Sequence, residues 1–320
     1  MLTLYAVVPC YNEEAALPDS AEKLQEKWWN LMAAGRITPN SRITLVDDGS
    51  TDSTWSIIQT LCAGENSLFC AVKLSRNRGH QAALLAGLQA SMNACDACVS
   101  LDADLQDDIE VIDRFIEEYE AGCDIVYGVR EDRSSDSFAK RFTAQSYYKV
   151  LRALGVDVIF DHADYRLMSR RALHALSRYE ETNLFLRGII PELGFPSAQV
   201  KYTRQPRQAG ESKYTLKKML SLAFDGITSF SVRPIRLLSV LGILTVLVSI
   251  AMAVYTLVRH FTGNTVSGWP SLMISIWFLG GLNLLALGLV GEYIGRIYGE
   301  VKQRPRYIVE QTIGNVSRYE

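Results

Sequence analysis

The sequence predicts an α/β fold: a mostly parallel sheet with helices on both faces, followed by interfacial helices and a two-helix transmembrane hairpin. Three observations predict it. Short continuous apolar runs alternate with helical patterns through about the first 130 residues, the pattern of strands buried on both faces. Polar clusters follow four of those runs, and such sheets bind ligands at the carboxyl ends of their strands. Two stretches, 237–258 and 271–291, contain no Asp, Glu, Lys or Arg. At 1.5 Å per residue, about 21 residues of helix span roughly 31 Å, the thickness of a bilayer core.

Taken in order, Leu4 to Val8 reads as the first strand, followed by a helix carrying Leu17, Ala21, Leu24, Trp28 and Leu31. Leu2 to Val8 is no signal peptide, because no basic residue precedes it and it runs straight into Tyr11-Asn12-Glu13-Glu14. Ile43 to Val46 is the second strand, and its helix is expected to start near Ser50-Thr51-Asp52, which are good capping residues. Phe69 to Leu74 is the third, before a helix opened by Gly79 and carrying Ala82, Leu85 and Leu88. Ala97 to Leu101 is the fourth, before a helix with Ile109, Ile112, Phe115, Ile116 and Tyr119; Ile125 to Tyr127 is the fifth. The expected organisation is a large domain over 1–210, a juxtamembrane amphipathic region over 211–234, the hairpin over 235–295 and a tail over 296–320.

In the juxtamembrane region Leu216, Met219, Leu220, Ala223 and Ile227 share one helical face, flanked by Lys213, Lys217 and Lys218. A basic amphipathic helix just before a span reads as interfacial, in contact with membrane lipids; an ordinary surface helix is the alternative. Arg233 and Arg236 precede the first span, and Arg296, Lys302, Arg304 and Arg306 follow the second, whereas the connecting loop has only Arg259 and His260. Both ends are therefore expected in the cytoplasm. Gly291-x-x-x-Gly295 either packs the hairpin or joins copies in a homo-oligomer, and Glu292 and Arg296 are spaced to pair. The net charge of −2 gives no general pull toward nucleic acid. All six cysteines precede the spans and mostly sit on apolar runs, as buried thiols of a reducing compartment do. Cys95-Asp96-Ala97-Cys98 has redox spacing but leads into a strand instead of opening a helix.

The chemistry lies in the polar clusters. Asp102 and Asp104 sit two apart at a strand exit, which sets both carboxylates on one side. Such oxygen ligands suit Mg²⁺ or Mn²⁺, especially where a diphosphate adds more, and Gln106 and Asp107 extend the cluster. In Val46-Asp47-Asp48-Gly49-Ser50-Thr51-Asp52, glycine permits a tight turn, Asp52 reads as a helix cap and Asp47 as a partner for a nucleotide base or ribose. Neither a P-loop nor a dinucleotide fingerprint is present. His80 reads as a polar contact and not as a metal ligand.

Together, Val8-Pro9-Cys10-Tyr11-Asn12-Glu13-Glu14, Val46-Asp47-Asp48-Gly49-Ser50, Asn77-Arg78-Gly79-His80-Gln81 and Asp102-Ala103-Asp104-Leu105-Gln106-Asp107 resemble a family 2 glycosyltransferase of the GT-A fold. Asp164-Tyr165-Arg166-Leu167-Met168, Gly210-Glu211-Ser212-Lys213-Tyr214 and Gly291-Glu292-Tyr293-Ile294-Gly295-Arg296-Ile297-Tyr298 resemble the polyprenyl-phosphate members, among them dolichol-phosphate mannose synthase. The two-span hairpin is similar to that of the bactoprenol glucosyltransferase type. The resemblance implies inverting transfer of a hexose from a nucleotide-sugar to undecaprenyl or another polyprenyl phosphate, for cell-envelope glycosylation. It places a multi-pass enzyme in the bacterial inner membrane with its catalytic domain cytoplasmic. UDP-glucose is the favoured donor, with GDP-mannose, UDP-N-acetylglucosamine and a UDP-aminoarabinose derivative as alternatives.

The resemblance further implies that Pro9, Tyr11, Glu13, Asp47 and Asp102 contact the nucleotide, with Asp48 and Gly79 in the same donor site. Asp104 and Gln106 would hold the metal together with Asp102. Arg130 and Arg141 match acceptor-phosphate positions, and Arg204, Ser212 and Lys213 match a motif over the diphosphate. Tyr165 stands where many relatives have Phe. The residues offer no convincing His or Glu general base. A phosphate monoester loses its second proton near pH ~6, so the acceptor is already an anionic nucleophile at neutral pH, and Asp164 is left to orient nucleophile or substrate. Two rivals fit less well. A processive synthase needs several spans and a Gln-x-x-Arg-Trp motif, which is absent. An inactive scaffold would have no need of Asp102, Asp104, Arg130 and Lys213.

Overall fold

The structure, a computed structural model, describes residues 1–64, 67–130, 162–181, 186–203 and 268–316, with scattered helical positions between 240 and 258. The described residues up to 203, together with 305–316, form one compact unit; those from 240 to 304 form a second.

The first unit is an eight-stranded sheet. Its strands are β1 (Leu4–Cys10), β2 (Arg42–Asp47), β3 (Phe69–Leu74), β4 (Ala97–Ser100), β5 (Ile125–Arg130), β6 (His162–Ser169), β7 (Ser197–Tyr202) and β8 (Val309–Ile313). They lie in the order β7-β5-β6-β4-β1-β2-β3-β8. β1 pairs in parallel with β2 and β4, β2 with β3, and β5 with β7; β6 and β8 run antiparallel to their neighbours. The five strands expected from sequence are all present, and β6, β7 and β8 are additional.

Both faces are covered. On one, Leu4, Ala6 and Val8 alternate inward from β1 to meet α1 (Leu17–Ala33), α2 (Thr54–Leu61) and α4 (Ile112–Glu120). On the other, α3 (His80–Ser91) lies so close that a Cβ on Gly87 would stand 2.4 Å from Val7 Cγ1 and 2.6 Å from Val46 Cγ2. Two short helices follow β6: α5 (Arg170–Leu176) and α6 (Leu186–Glu192). Beneath α1, the buried Lys27 ammonium lies 2.5 Å from both Glu110 and Asp113.

The helix after β2 begins at Thr54, later than the expected Ser50-Thr51-Asp52. Asp52 is occupied instead in bracing loops: its Oδ1 accepts from the Thr54 N–H and its Oδ2 from the Glu14 N–H. All six cysteines are free thiols, five of them buried, and the Cys95 and Cys98 sulfurs lie 3.2 Å apart.

In the second unit α7 (Trp269–Val301) has 33 residues, and its stretch Phe278–Val301 is long and apolar enough to cross a membrane. It is the one such helix among the described residues. The charge-free run 271–291 lies within a longer helix that continues past Glu292, where Arg296 pairs with Glu292 at 3.3 Å, one turn on. The described positions of the first run are helical, and Ile243, Leu244, Leu247, Val248 and Val254 are exposed. The rest of that run and all of 211–234 lie outside the described residues. The segment expected as a tail contains the end of α7 and strand β8.

Candidate active site

The polar clusters converge on the carboxyl ends of β1 to β4. β1 and β2 are paired in register up to Cys10 and Asp47, so the loops that follow them meet. Asn12, at a positive φ of 53°, accepts from the Thr51 N–H through its side chain, while its own N–H donates to Ser50 Oγ. The Glu13 N–H donates to Thr54 Oγ1, and Glu14 Oε2 accepts from the Ser53 N–H. Pro9 is buried in the strand, whereas Tyr11 is exposed at the loop.

Asp47 and Asp48 are both buried. Asp48 accepts the backbone N–H groups of Arg78 and Gly79 at 2.7 and 2.9 Å, tying the β2 loop to the β3 loop. Asp47 accepts from the Ser50 N–H with one oxygen, and its other oxygen is buried without a partner. An unmet buried acceptor is costly and is satisfied by an ordered water or a bound group. Burial raises the pKa of both carboxyls.

The β4 exit carries Asp102, Asp104, Gln106 and Asp107. Gln106 is buried with its side-chain Nε2 unpartnered, and its backbone N–H donates to Asp104 Oδ1 at 3.4 Å. Burial raises the pKa of Asp102, against the pull of His80, and the carboxylates of Asp164, Asp107 and Asp104 add to the rise. The donor set of this acidic cluster suits a hard divalent cation. Among the described residues no group of three or more His, Cys, Asp or Glu is arranged to hold a metal, so further ligands would come from elsewhere.

Antiparallel pairing of β4 with β6 sets Ser100 opposite Arg166. Two residues further along, Asp102 and Asp164 come to the same end. His80, from the β3 loop, stands between them, with Nε2 3.7 Å from Asp102 and 3.6 Å from Asp164. Burial opposes its protonation, but Asp164 and Asp102 outweigh it and raise the His80 pKa. Asp164 also receives Arg166 on Oδ1 and Arg187 on both oxygens, at 3.3 Å from Nε and 3.0 Å from Nη2. Burial alone would raise its pKa; His80, Arg187 and Arg166 together hold it well below the usual carboxylate range. A carboxylate so engaged is a poor proton acceptor.

Arg130, at the end of β5, lies 3.3 Å from Asp107, which also accepts from the Tyr202 hydroxyl at 2.6 Å. The structure therefore brings Asp102, Asp104, Gln106, Asp164 and Arg130 to one end of the sheet, beside Asp47, Asp48 and Gly79. Arg141, Arg204, Ser212 and Lys213 lie outside the described residues. The roles of His80 and Arg187 were not apparent in the sequence. His80 is in the Asn77-to-Gln81 motif but reads there as a bland contact, and Arg187 carries no motif at all.

Comparison with known proteins gives a consistent answer. Residues 5–177 match the glycosyl transferase family 2 domain. The chain is 49% identical over 312 residues to the uncharacterized glycosyltransferase YkoT of Bacillus subtilis, covering 98% of this chain and 92% of that one. It is 40% identical over 309 residues to the SfII prophage-derived bactoprenol glucosyl transferase of Shigella flexneri, covering 96% and 97%. It is 38% identical over 307 residues to the prophage bactoprenol glucosyl transferase homolog of Escherichia coli, covering 95% and 97%. With the domain match spanning more than half the chain and these relatives nearly all of it, the chain belongs to glycosyltransferase family 2, whose GT-A fold its mostly parallel sheet adopts.

Proposed function

We propose that this glycosyltransferase moves glucose from UDP-glucose onto a polyprenyl phosphate, with inversion, at the cytoplasmic face of a bacterial inner membrane. The observation that carries the reading is the placement of Asp102 and Asp104. They lie between the buried Asp47 and Asp48 carboxyls on one flank and Asp164, Arg187 and Arg130 on the other. A nucleotide fits the first flank, where Asp47 has an unmet acceptor. An anionic acceptor fits the second. Relatives named for bactoprenol glucosyl transfer, matched over nearly their whole length, support both the sugar and the lipid.

Asp102, Asp104 and Gln106 would hold Mg²⁺ or Mn²⁺, which neutralises charge on the departing diphosphate. The protein's own groups do the remainder. Asp47 binds the nucleotide, and the braced loops after β1 and β2 fix Tyr11 and Glu13 beside it. Arg130, with Arg141, is assigned to the acceptor phosphate, and Arg204, Ser212 and Lys213 to the diphosphate. No side chain need take a proton, because the acceptor arrives ionised. The apolar helix α7 and the run 237–258 are read as the two spans, with 211–234 at the interface.

The test is transfer by the purified full-length protein in detergent, with undecaprenyl phosphate, radiolabelled UDP-glucose and Mg²⁺. Chelator-sensitive labelled lipid is expected, reduced by about two to four orders of magnitude in Asp104→Asn, since metal stabilisation is worth several kcal/mol. Product only with another donor would overturn glucose and keep the mechanism. No product with any donor would overturn the reading.

A further inference from the structure

We propose that Arg187 binds the acceptor phosphate and that Asp164 is the residue that positions it. The proposal rests on the function proposed above, and deepens it.

Asp164 carries one negative charge but faces two arginines and His80. Arg166 is fully buried and directed at Oδ1, so it alone can balance the carboxylate, and it cannot reach a ligand. Arg187 is different: its side chain is 38% exposed while Asp164 beneath it is 10% exposed. The pair is thus a half-open guanidinium seated on a buried carboxylate, held through Nε and Nη2. A planar guanidinium gripped along one edge is a pre-ordered phosphate ligand, because the entropy of fixing a long side chain has already been lost on folding.

The anchoring is two-sided. The backbone N–H of Leu186, the residue before Arg187, donates to Gln81 Oε1 at 3.0 Å. The start of α6 is therefore pinned to the start of α3, next to His80.

Position then selects the ligand. Asp47 and Asp48 belong to β2, on one side of β4, beyond β1; Asp164 belongs to β6, on the other side. Arg187 is held by Asp164 on that second side, and His80 links Asp164 to Asp102. The anion on that flank is the lipid phosphate. Asp164, with both oxygens held by cationic donors, serves as a support and not as a base.

The experiment is steady-state kinetics of the full-length enzyme, varying polyprenyl phosphate at saturating UDP-glucose and the reverse. A lost hydrogen bond to a charged group predicts that Arg187→Ala raises the KM for the lipid about 10- to 100-fold. The KM for UDP-glucose stays within about threefold, and Arg187→Lys recovers part of the loss because it restores charge without the fork. Asp164→Asn shifts the lipid KM in the same direction, and the double variant is no worse than Arg187→Ala alone, since both remove one unit. Melting curves check that Asp164→Asn folds; the Arg187 variants decide the question if it does not. Three results would overturn the proposal while wild-type glycolipid synthesis persists: an unchanged lipid KM in Arg187→Ala, a rise confined to the UDP-glucose KM, or an Asp164→Asn enzyme that loses kcat with its lipid KM intact. Absence of glycolipid from the wild type would instead sink the function proposed above.

Discussion

Replacing Gly49 with alanine should loosen the whole donor side of the site. Gly49 has φ of +66°, and a Cβ built on it would stand 2.6 Å from both Arg76 C and Asn77 N, and 2.8 Å from Arg76 Cα. These are backbone atoms, so no rotamer change relieves the overlap. The left-handed conformation costs an L-residue about 1–2 kcal/mol. Forcing a methyl into a filled space costs about 1–3 kcal/mol, so the two together come to about 2–5 kcal/mol. At about 2–4 °C per kcal/mol for a domain near 200 residues, the melting temperature should fall by roughly 4–20 °C. The displacement falls where Asp48 grips the Arg78 and Gly79 N–H groups, so UDP affinity should fall with it. Gly122→Ala is the control: φ is +103° there, but nothing lies within 4 Å of the new methyl, so it carries backbone strain alone. The assay is tryptophan-fluorescence melting in detergent, with and without UDP. A Gly49→Ala protein that melts with the Gly122→Ala control and binds UDP as the wild type does would refute the reasoning.

Other perturbations separate further contributions. Burial alone would raise the Asp124 pKa, but Arg171 and Ser169 overcome it and hold the carboxyl below its ordinary value. That stability is present above the unfolded pKa and lost as pH falls through the folded one. Asp124→Asn should therefore be less stable than wild type at pH 7, with the gap closing below about pH 4; equal gaps in denaturation midpoints at pH 7 and pH 3 would contradict this. Lys27→Met should stay within about 1 kcal/mol of wild type, because Glu110 and Asp113 are exposed enough to return to water and the methionine fills the space. Lys27→Ala should lose at least about 2 kcal/mol to the cavity, and chemical denaturation distinguishes the two. Removing residues 308–320 strips β8 from β3 and bares an edge that templates aggregation. Size-exclusion chromatography should show aggregates, and monodisperse protein with unchanged melting would count against β8 as a structural strand.

Strands β1 to β5 were legible because each is an almost unbroken apolar run ending in a polar cluster, which is how a doubly covered strand writes itself. β6 was legible only as a motif. Arg166 and Asp164 interrupt its apolar run, and a charge in a strand centre hides the strand until its partner is known. β7 sets polar Ser197, Gln199 and Lys201 against Ala198, Val200 and Tyr202, a period-two edge-strand pattern unlike the continuous apolar runs by which the other strands were read. β8 has Glu310 and Gln311 pointing to a solvated tail, and only its distant partner β3 makes it a strand. At the site, Asp102, Asp104 and Asp47 were readable because spacing at strand ends carries the chemistry. Arg187 was not, because its meaning lies in a bidentate contact with a residue 23 positions earlier. His80 was visible but undervalued, since only the fold sets it between two carboxylates.

The return of the chain to β3 fixes a matter of parity. The polypeptide leaves the sheet after β7 and rejoins it at β8, where Ala71, Val72, Lys73 and Leu74 meet Ile313, Thr312, Gln311 and Val309. Both apolar runs lie between departure and return. Strands of one sheet cannot form on opposite sides of a bilayer, so the intervening chain must cross an even number of times. If α7 crosses, it cannot cross alone, and 237–258 is the partner at hand. Inversion of α7 would then be opposed not only by the positive charges beside it but by the hydrogen bonds of a five-residue strand. If both runs cross, shifting basic residues into 259–268 should leave a mis-oriented chain that has also lost the edge of its sheet.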